Sequence, residues 1–142
     1  MILDRIDKPT MVAKLSNEEL QELAAEIRER IISVVAKNGG HIAPSLGAVD
    51  FTLALLSVFD PLKDRVVWDV GHQSYAWKIL TQRNERFDTL RRFGGISGFT
   101  NIAESPYDAF STGHSSTSIS AALGIAAARD LLAENHHSIA VI

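Results

Sequence analysis

The 142-residue sequence contains no cysteine. That excludes disulfide staples and thiolate metal sites, and it fits a reducing compartment. No apolar run approaches the roughly 18 residues that cross a bilayer, and the opening MILDRIDKP carries acidic residues where a signal peptide has a basic end. The chain is therefore expected to be untargeted, cytoplasmic and free of membrane. Charge of one sign is also scarce: the formal balance is only -3, so nucleic acid is not an expected partner. There is no internal repeat and no low-complexity tract. What remains is an ordinary globular composition, 46% apolar and 22% charged. A chain of this length buries roughly two-thirds of its unfolded surface, which is enough for one core.

Residues 1–14 show no clear period, include Pro9, and read as an N-terminal arm or lead-in. Ser16 and Glu19 then form a capping box flanked by Leu15 and Leu20 as a hydrophobic staple. Leu20, Leu23, Ile27, Ile31 and Val34 recur at three and four residues until Asn38-Gly39-Gly40, predicting an amphipathic helix of about six turns. A second, buried helix is expected from near Ser45 to Phe59, stopped by Asp60-Pro61. RVVWDV, Arg65 to Val70, has the β-branched run of a strand covered on both faces. Short helices are expected over Tyr75–Leu80 and Glu85–Arg92. A long loop follows Gly94-Gly95, then a helix from Ser116 to Glu134 and a strand over His137–Ile142. This alternation predicts an α/β fold, a partial doubly wound parallel sheet with flanking helices. The last strand has no following loop, and a loop at that end is where such sheets carry ligand contacts. The sequence is accordingly expected to be a piece of a longer protein, or to work beside another chain.

Three of the five histidines follow glycine: Gly40-His41, Gly71-His72 and Gly113-His114. Glycine lets a backbone approach a ligand closely, and imidazole exchanges protons near neutral pH. His72 is the best placed, at the carboxyl end of the RVVWDV strand. Each histidine could equally be a plain turn residue. Zinc is disfavoured, because there is no His-x-x-x-His pair and the spacings match no metal motif. His136-His137 reads as a solvated connection. In FSTGHSSTSISAALG, Ser115 or Ser116 could cap the helix through its side chain. The small residues beyond leave two readings open: an electron-rich ligand at the helix N-terminus, or close helix packing. GGISGF, Gly94 to Phe99, matches neither a Walker loop nor the dinucleotide fingerprint, and Arg91-Arg92 beside it could meet a phosphate or simply compensate a helix dipole.

The ordered segments GGHIAPSLGAVDFTLAL, WDVGHQSYAWKILT, FGGISGFTNIAESPYDAF and TGHSSTSISAALGIAAARD resemble the N-terminal part of the 1-deoxy-D-xylulose-5-phosphate synthase family, over about Leu15 to Ile142. The resemblance implies residues 15–142 of a thiamine-diphosphate-binding domain cut before its metal motif, in a transketolase-like enzyme. Such enzymes condense pyruvate with glyceraldehyde 3-phosphate, releasing carbon dioxide, as homodimers with thiamine diphosphate and magnesium. By position, the resemblance implies that His72, Gly113, His114 and Ser115 contact the cofactor and that His41 is catalytic, moving protons at the reacting carbons. Magnesium ligands are expected beyond residue 142, in the remainder of the polypeptide or a partner chain, so these residues alone should be inactive. Two positions depart from the family pattern: Trp77 where histidine is usual, and Gln82 where glycine is usual. One subunit of a split enzyme, or a non-catalytic binding or dimerisation remnant, are the alternative readings.

Overall fold

The structure, a computed structural model, describes all residues from Met1 to Ile142. Helix α1 spans Asn17–Asn38 and begins with the expected reciprocal cap. The Glu19 N–H donates to Ser16 Oγ at 3.2 Å, and the Ser16 N–H donates to Glu19 Oε2 at 3.0 Å. At its other end Gly39, with φ +74°, still donates its N–H to the Val35 carbonyl. The inner face buries Leu23, Ile27 and Ile31 completely. Each such side chain contributes about 1.5–3 kcal/mol over remaining exposed.

The lead-in forms two 3-10 turns, Leu3–Arg5 and Pro9–Lys14, and is held by α1. The Glu26 carboxylate accepts from the N–H groups of Ile2 and Leu3 at 2.9 and 2.7 Å, and Ile2, Leu3 and Val12 join the core.

The expected second helix is two: α2, Ile42–Gly47, and α3, Val49–Val58, with Ala48 as a turn between them at ψ -2°. Gly47, a poor helix former, marks the break. Burial is also one-sided, for Val49, Leu53, Leu55 and Leu56 are inside while Phe51 and Val58 face out. Helix α4, Tyr75–Lys78, runs into a wider π turn over Ile79–Arg83 that ends where Gln82 turns left-handed at φ +67°. A glycine would take those dihedrals without the Cβ penalty. Only a 3-10 turn, Phe87–Thr89, forms where a helix over Glu85–Arg92 was expected. Helix α5 spans Ser118–Leu131.

Strands β1, Arg65–Trp68, and β2, Ser138–Val141, pair in parallel with Arg65 opposite Ser138 and Trp68 opposite Val141. Side chains alternate across the sheet. Val66, Trp68, Ile139 and Val141 face the core shared with α1, α3 and α4. Ser138 is on the other face, where its Oγ donates to the Ala122 carbonyl of α5 at 2.7 Å. Helices therefore cover both faces, and the chain is α/β with a two-stranded parallel sheet. The His136-His137 connection is less free than expected. Asp64 accepts from the His137 N–H at 2.8 Å and lies 2.9 Å from its Nδ1, fixing the start of β2 beside β1.

Candidate functional site at the carboxyl end of the sheet

Strand β1 delivers Asp69, Val70, Gly71 and His72 at its carboxyl end, where open α/β sheets bind ligands. Gly71 has φ +87°, and a Cβ there would lie 2.3 Å from Thr112 Oγ1 and 3.2 Å from the Thr100 nitrogen. Only glycine lets the strand end pass so close to the loop that leads into Gly113-His114. Ser45 of α2 donates its hydroxyl to the His72 carbonyl at 3.0 Å, fixing α2 against the same turn. Helix α2 begins immediately after His41, so this bond also sets where His41 stands.

Two of the three Gly-His pairs meet. The rings of His41 and His72 are 5.4 Å apart, edge to face, and Phe99 stands 5.7 Å from His41 on another side. The Nδ1 atoms of both histidines are buried with no hydrogen-bond partner, although the residues themselves remain partly exposed. A buried nitrogen without a partner costs stability unless a ligand supplies one. Burial pushes the His41 imidazole below the usual histidine range, and repulsion from His72 and Arg91 pushes it the same way. Its neutral form thus dominates near pH 7, the form that accepts a proton.

The third pair sits differently. Gly113, His114 and Ser115 are exposed, a Cβ on Gly113 would touch nothing within 4 Å, and no ring contact joins His114 to His41 or His72. Thr112, packed on Gly71, is the residue just before them in the chain.

Neither Ser115 nor Ser116 caps α5 through its side chain. Asp69 does, from across the sheet. One oxygen accepts from the Ser116 N–H at 2.9 Å, and the other from the Ser118 hydroxyl at 2.6 Å and its N–H at 3.4 Å. These bonds, led by the Ser118 hydroxyl, hold the Asp69 carboxyl below its usual range against opposing burial. The N–H groups of Ser116 and Ser118 are thereby already occupied by an anion of the chain's own. The sequence signal was present, an acidic residue straight after an apolar strand, but it lies 47 residues before its partner Ser116.

A groove of about 450 Å3 lies beside this end of the sheet, with Phe51, Trp68, Gln73 and Val141 in its walls. Trp68 Nε1 and Gln73 Oε1 are buried there without partners. No group of three or more His, Asp or Glu side chains is placed to hold a metal ion. The residues present therefore fit an organic ligand that offers partners to imidazole nitrogens, and do not by themselves form a magnesium site.

The loop that carries Phe99 rests on a buried charge cluster that the sequence reading missed. Lys78, fully buried, pairs with Glu104 Oε2 at 2.8 Å, and Arg83 grips Asp108 through two bonds of 2.7 and 2.9 Å. Trp77 Nε1 donates to the same Asp108 at 2.9 Å, so the indole ties α4 to the loop. Arg92 is spent on Asn38 at 2.6 Å and leaves Arg91 as the basic residue near His41.

A parallel sheet with helices on both faces, and with polar groups gathered at its carboxyl end, is the architecture of a ligand-binding α/β protein. The particular kind follows from comparison. The sequence matches the family described as 1-deoxy-D-xylulose-5-phosphate synthase over residues 3–142, and the chain belongs to that family. Proteins of that name from Oleidesulfovibrio alaskensis and Nitratidesulfovibrio vulgaris are 63% and 64% identical over 141 residues, 99% of this chain and 22% of each relative. One from Thermus thermophilus is 57% identical over the full 142 residues, 23% of its length. The chain thus spans about a fifth of the length of these relatives. No helix is long and apolar enough to cross a membrane.

Proposed function

We propose that this chain forms the N-terminal part of a thiamine-diphosphate-dependent synthase that joins pyruvate to glyceraldehyde 3-phosphate, giving 1-deoxy-D-xylulose 5-phosphate and carbon dioxide. The observation that carries the reading is the His41–His72 pair, two imidazoles from separate Gly-His motifs with buried, unpartnered Nδ1 atoms at the carboxyl end of β1. When bound, thiamine diphosphate would supply the nucleophilic carbon and the electron sink that let a 2-oxo acid give up carbon dioxide and its remaining two carbons join an aldehyde. His72 binds and orients the cofactor, with Gly113, His114 and Ser115 forming an open wall beside it. His41 holds or moves a proton at its ring nitrogen while charge develops on substrate oxygen. Phe99 keeps water from one face of His41. Magnesium would take its ligands from groups outside these residues. The resemblance to the family also supports a cytoplasmic homodimer.

The roles separate experimentally in a chimera in which residues 1–142 replace the matching part of the Oleidesulfovibrio relative. His72→Ala should weaken thiamine diphosphate binding by about 10- to 100-fold, the worth of one hydrogen bond to a charged group. His41→Ala should lower turnover by about 10²–10⁴-fold with cofactor affinity nearly kept. Calorimetry and product assay check both; unchanged affinity in the His72 variant would remove that residue from the cofactor site.

A further inference from the structure

We infer that Glu104 is a positioning residue for His41, acting through Ser97 and Phe99. The inference rests on the proposed role of His41, but it concerns only how the unliganded fold holds that ring.

The loop from Gly94 to Ser111 has neither helix nor strand to shape it. Its form comes from two carboxylates driven into the protein. Glu104 and Asp108 are 12% and 0% exposed at their side chains, against Lys78 at 0% and Arg83 at 4%. Burying four charges costs desolvation, and an apolar plug of the same volume would hold a loop as firmly. A charged pair adds direction. Glu104 Oε2 is fixed by Lys78 at 2.8 Å and Arg83 at 3.4 Å, so Oε1 is left to accept from the Ser97 N–H. Ser97 Oγ in turn accepts from the Phe99 N–H at 3.1 Å. Phe99 then meets the His41 ring at 5.7 Å with 53° between planes. Gly98, between these two residues, lies over Arg91, whose Cγ is 3.1 Å from the place a Cβ would occupy. One anchor therefore sets both the apolar wall on His41 and the seat of the neighbouring cation. The other groups facing His41 are His72 and Tyr75, whose hydroxyl accepts from the His41 N–H at 3.3 Å.

The test follows the His41 ring through a pH titration by NMR, without cofactor or substrate, beside the melting temperature of each variant. Phe99→Ala should raise the His41 midpoint toward the ordinary histidine value, because water regains one face of the ring. Ser97→Ala should raise it as well while leaving the charge cluster whole, so that Tm falls by only a few degrees. Glu104→Gln keeps an oxygen for the Ser97 N–H but strips Lys78 of its counter-charge. That variant should lose about 10 °C or more in Tm with the His41 midpoint unmoved. If it does not fold, the pair Glu104→Gln/Lys78→Met removes both charges and carries the same expectation for the midpoint. The pair Glu104→Ala/Lys78→Met leaves the Ser97 N–H without its acceptor and strands no cation on Lys78, and it should raise the midpoint as Ser97→Ala does. The inference is overturned if Ser97→Ala or Glu104→Ala/Lys78→Met leaves the midpoint in place while Phe99→Ala moves it, or if the midpoints simply follow Tm. No cofactor enters the measurement, so a negative result would leave the proposed reaction standing.

Discussion

Gly71 and His72 are adjacent, yet they serve the site by opposite means: one by having no side chain, the other by the nitrogen it leaves free. A methyl group at Gly71 would press on Thr112 Oγ1 and the Thr100 backbone at φ +87°. Gly71→Ala should therefore lower stability by about 2–4 kcal/mol, combining overpacking with a strained backbone. Urea unfolding checks this, with a fall in midpoint at unchanged slope expected. Residues of this kind were partly legible in the sequence, because the Gly-His pairing itself flagged His41 and His72. Asp69 was not, since a carboxylate's partner is invisible when it lies on another element. Lys78 and Arg83 were missed for a related reason: basic residues on a short helix ordinarily face water, and only Glu104 and Asp108, more than twenty residues on, make their burial tolerable.

At the scale of elements, the start of α5 is held by Asp69 rather than by the hydroxyl residues around it. Since the folded carboxyl is held below its usual range, its bonds contribute stability that is complete above the unfolded value near 4. That contribution is lost as pH falls through the lower folded value. Asp69→Asn should thus destabilise the protein at pH 7, and the difference from the parent should shrink as the pH is taken toward 2. Melts followed by circular dichroism from pH 7 downward measure it; a gap that stays constant with pH would mean the charge is not what holds the helix. Local signals were read correctly where both partners lie within a few residues, as in the Ser16–Glu19 box of α1. They failed where the chain departs from regular periods. The break at Ala48 has only Gly47 to mark it in a stretch that otherwise reads as helix, and the 3-10 turns that bury Ile2, Leu3 and Val12 have no 3.6-residue pattern to display.

For the molecule as a whole, one core backs the sheet, α5 covers its other face, and the His41 and His72 imidazoles meet where β1 ends. Two imidazoles with unpartnered Nδ1 atoms stand at that end, and no group of three or more His, Asp or Glu side chains is placed to hold a metal ion. Family membership, matched over residues 3–142, accounts for that combination if the remaining ligands come from polypeptide that the relatives carry beyond the fifth of their length seen here. The most direct measurement is turnover. Residues 1–142 joined to the rest of the Oleidesulfovibrio alaskensis relative, supplied with thiamine diphosphate and magnesium, should convert pyruvate and glyceraldehyde 3-phosphate to 1-deoxy-D-xylulose 5-phosphate with one carbon dioxide released per product. A folded chimera that binds the cofactor poorly and releases no carbon dioxide from pyruvate, while the unaltered relative does both, would contradict the account.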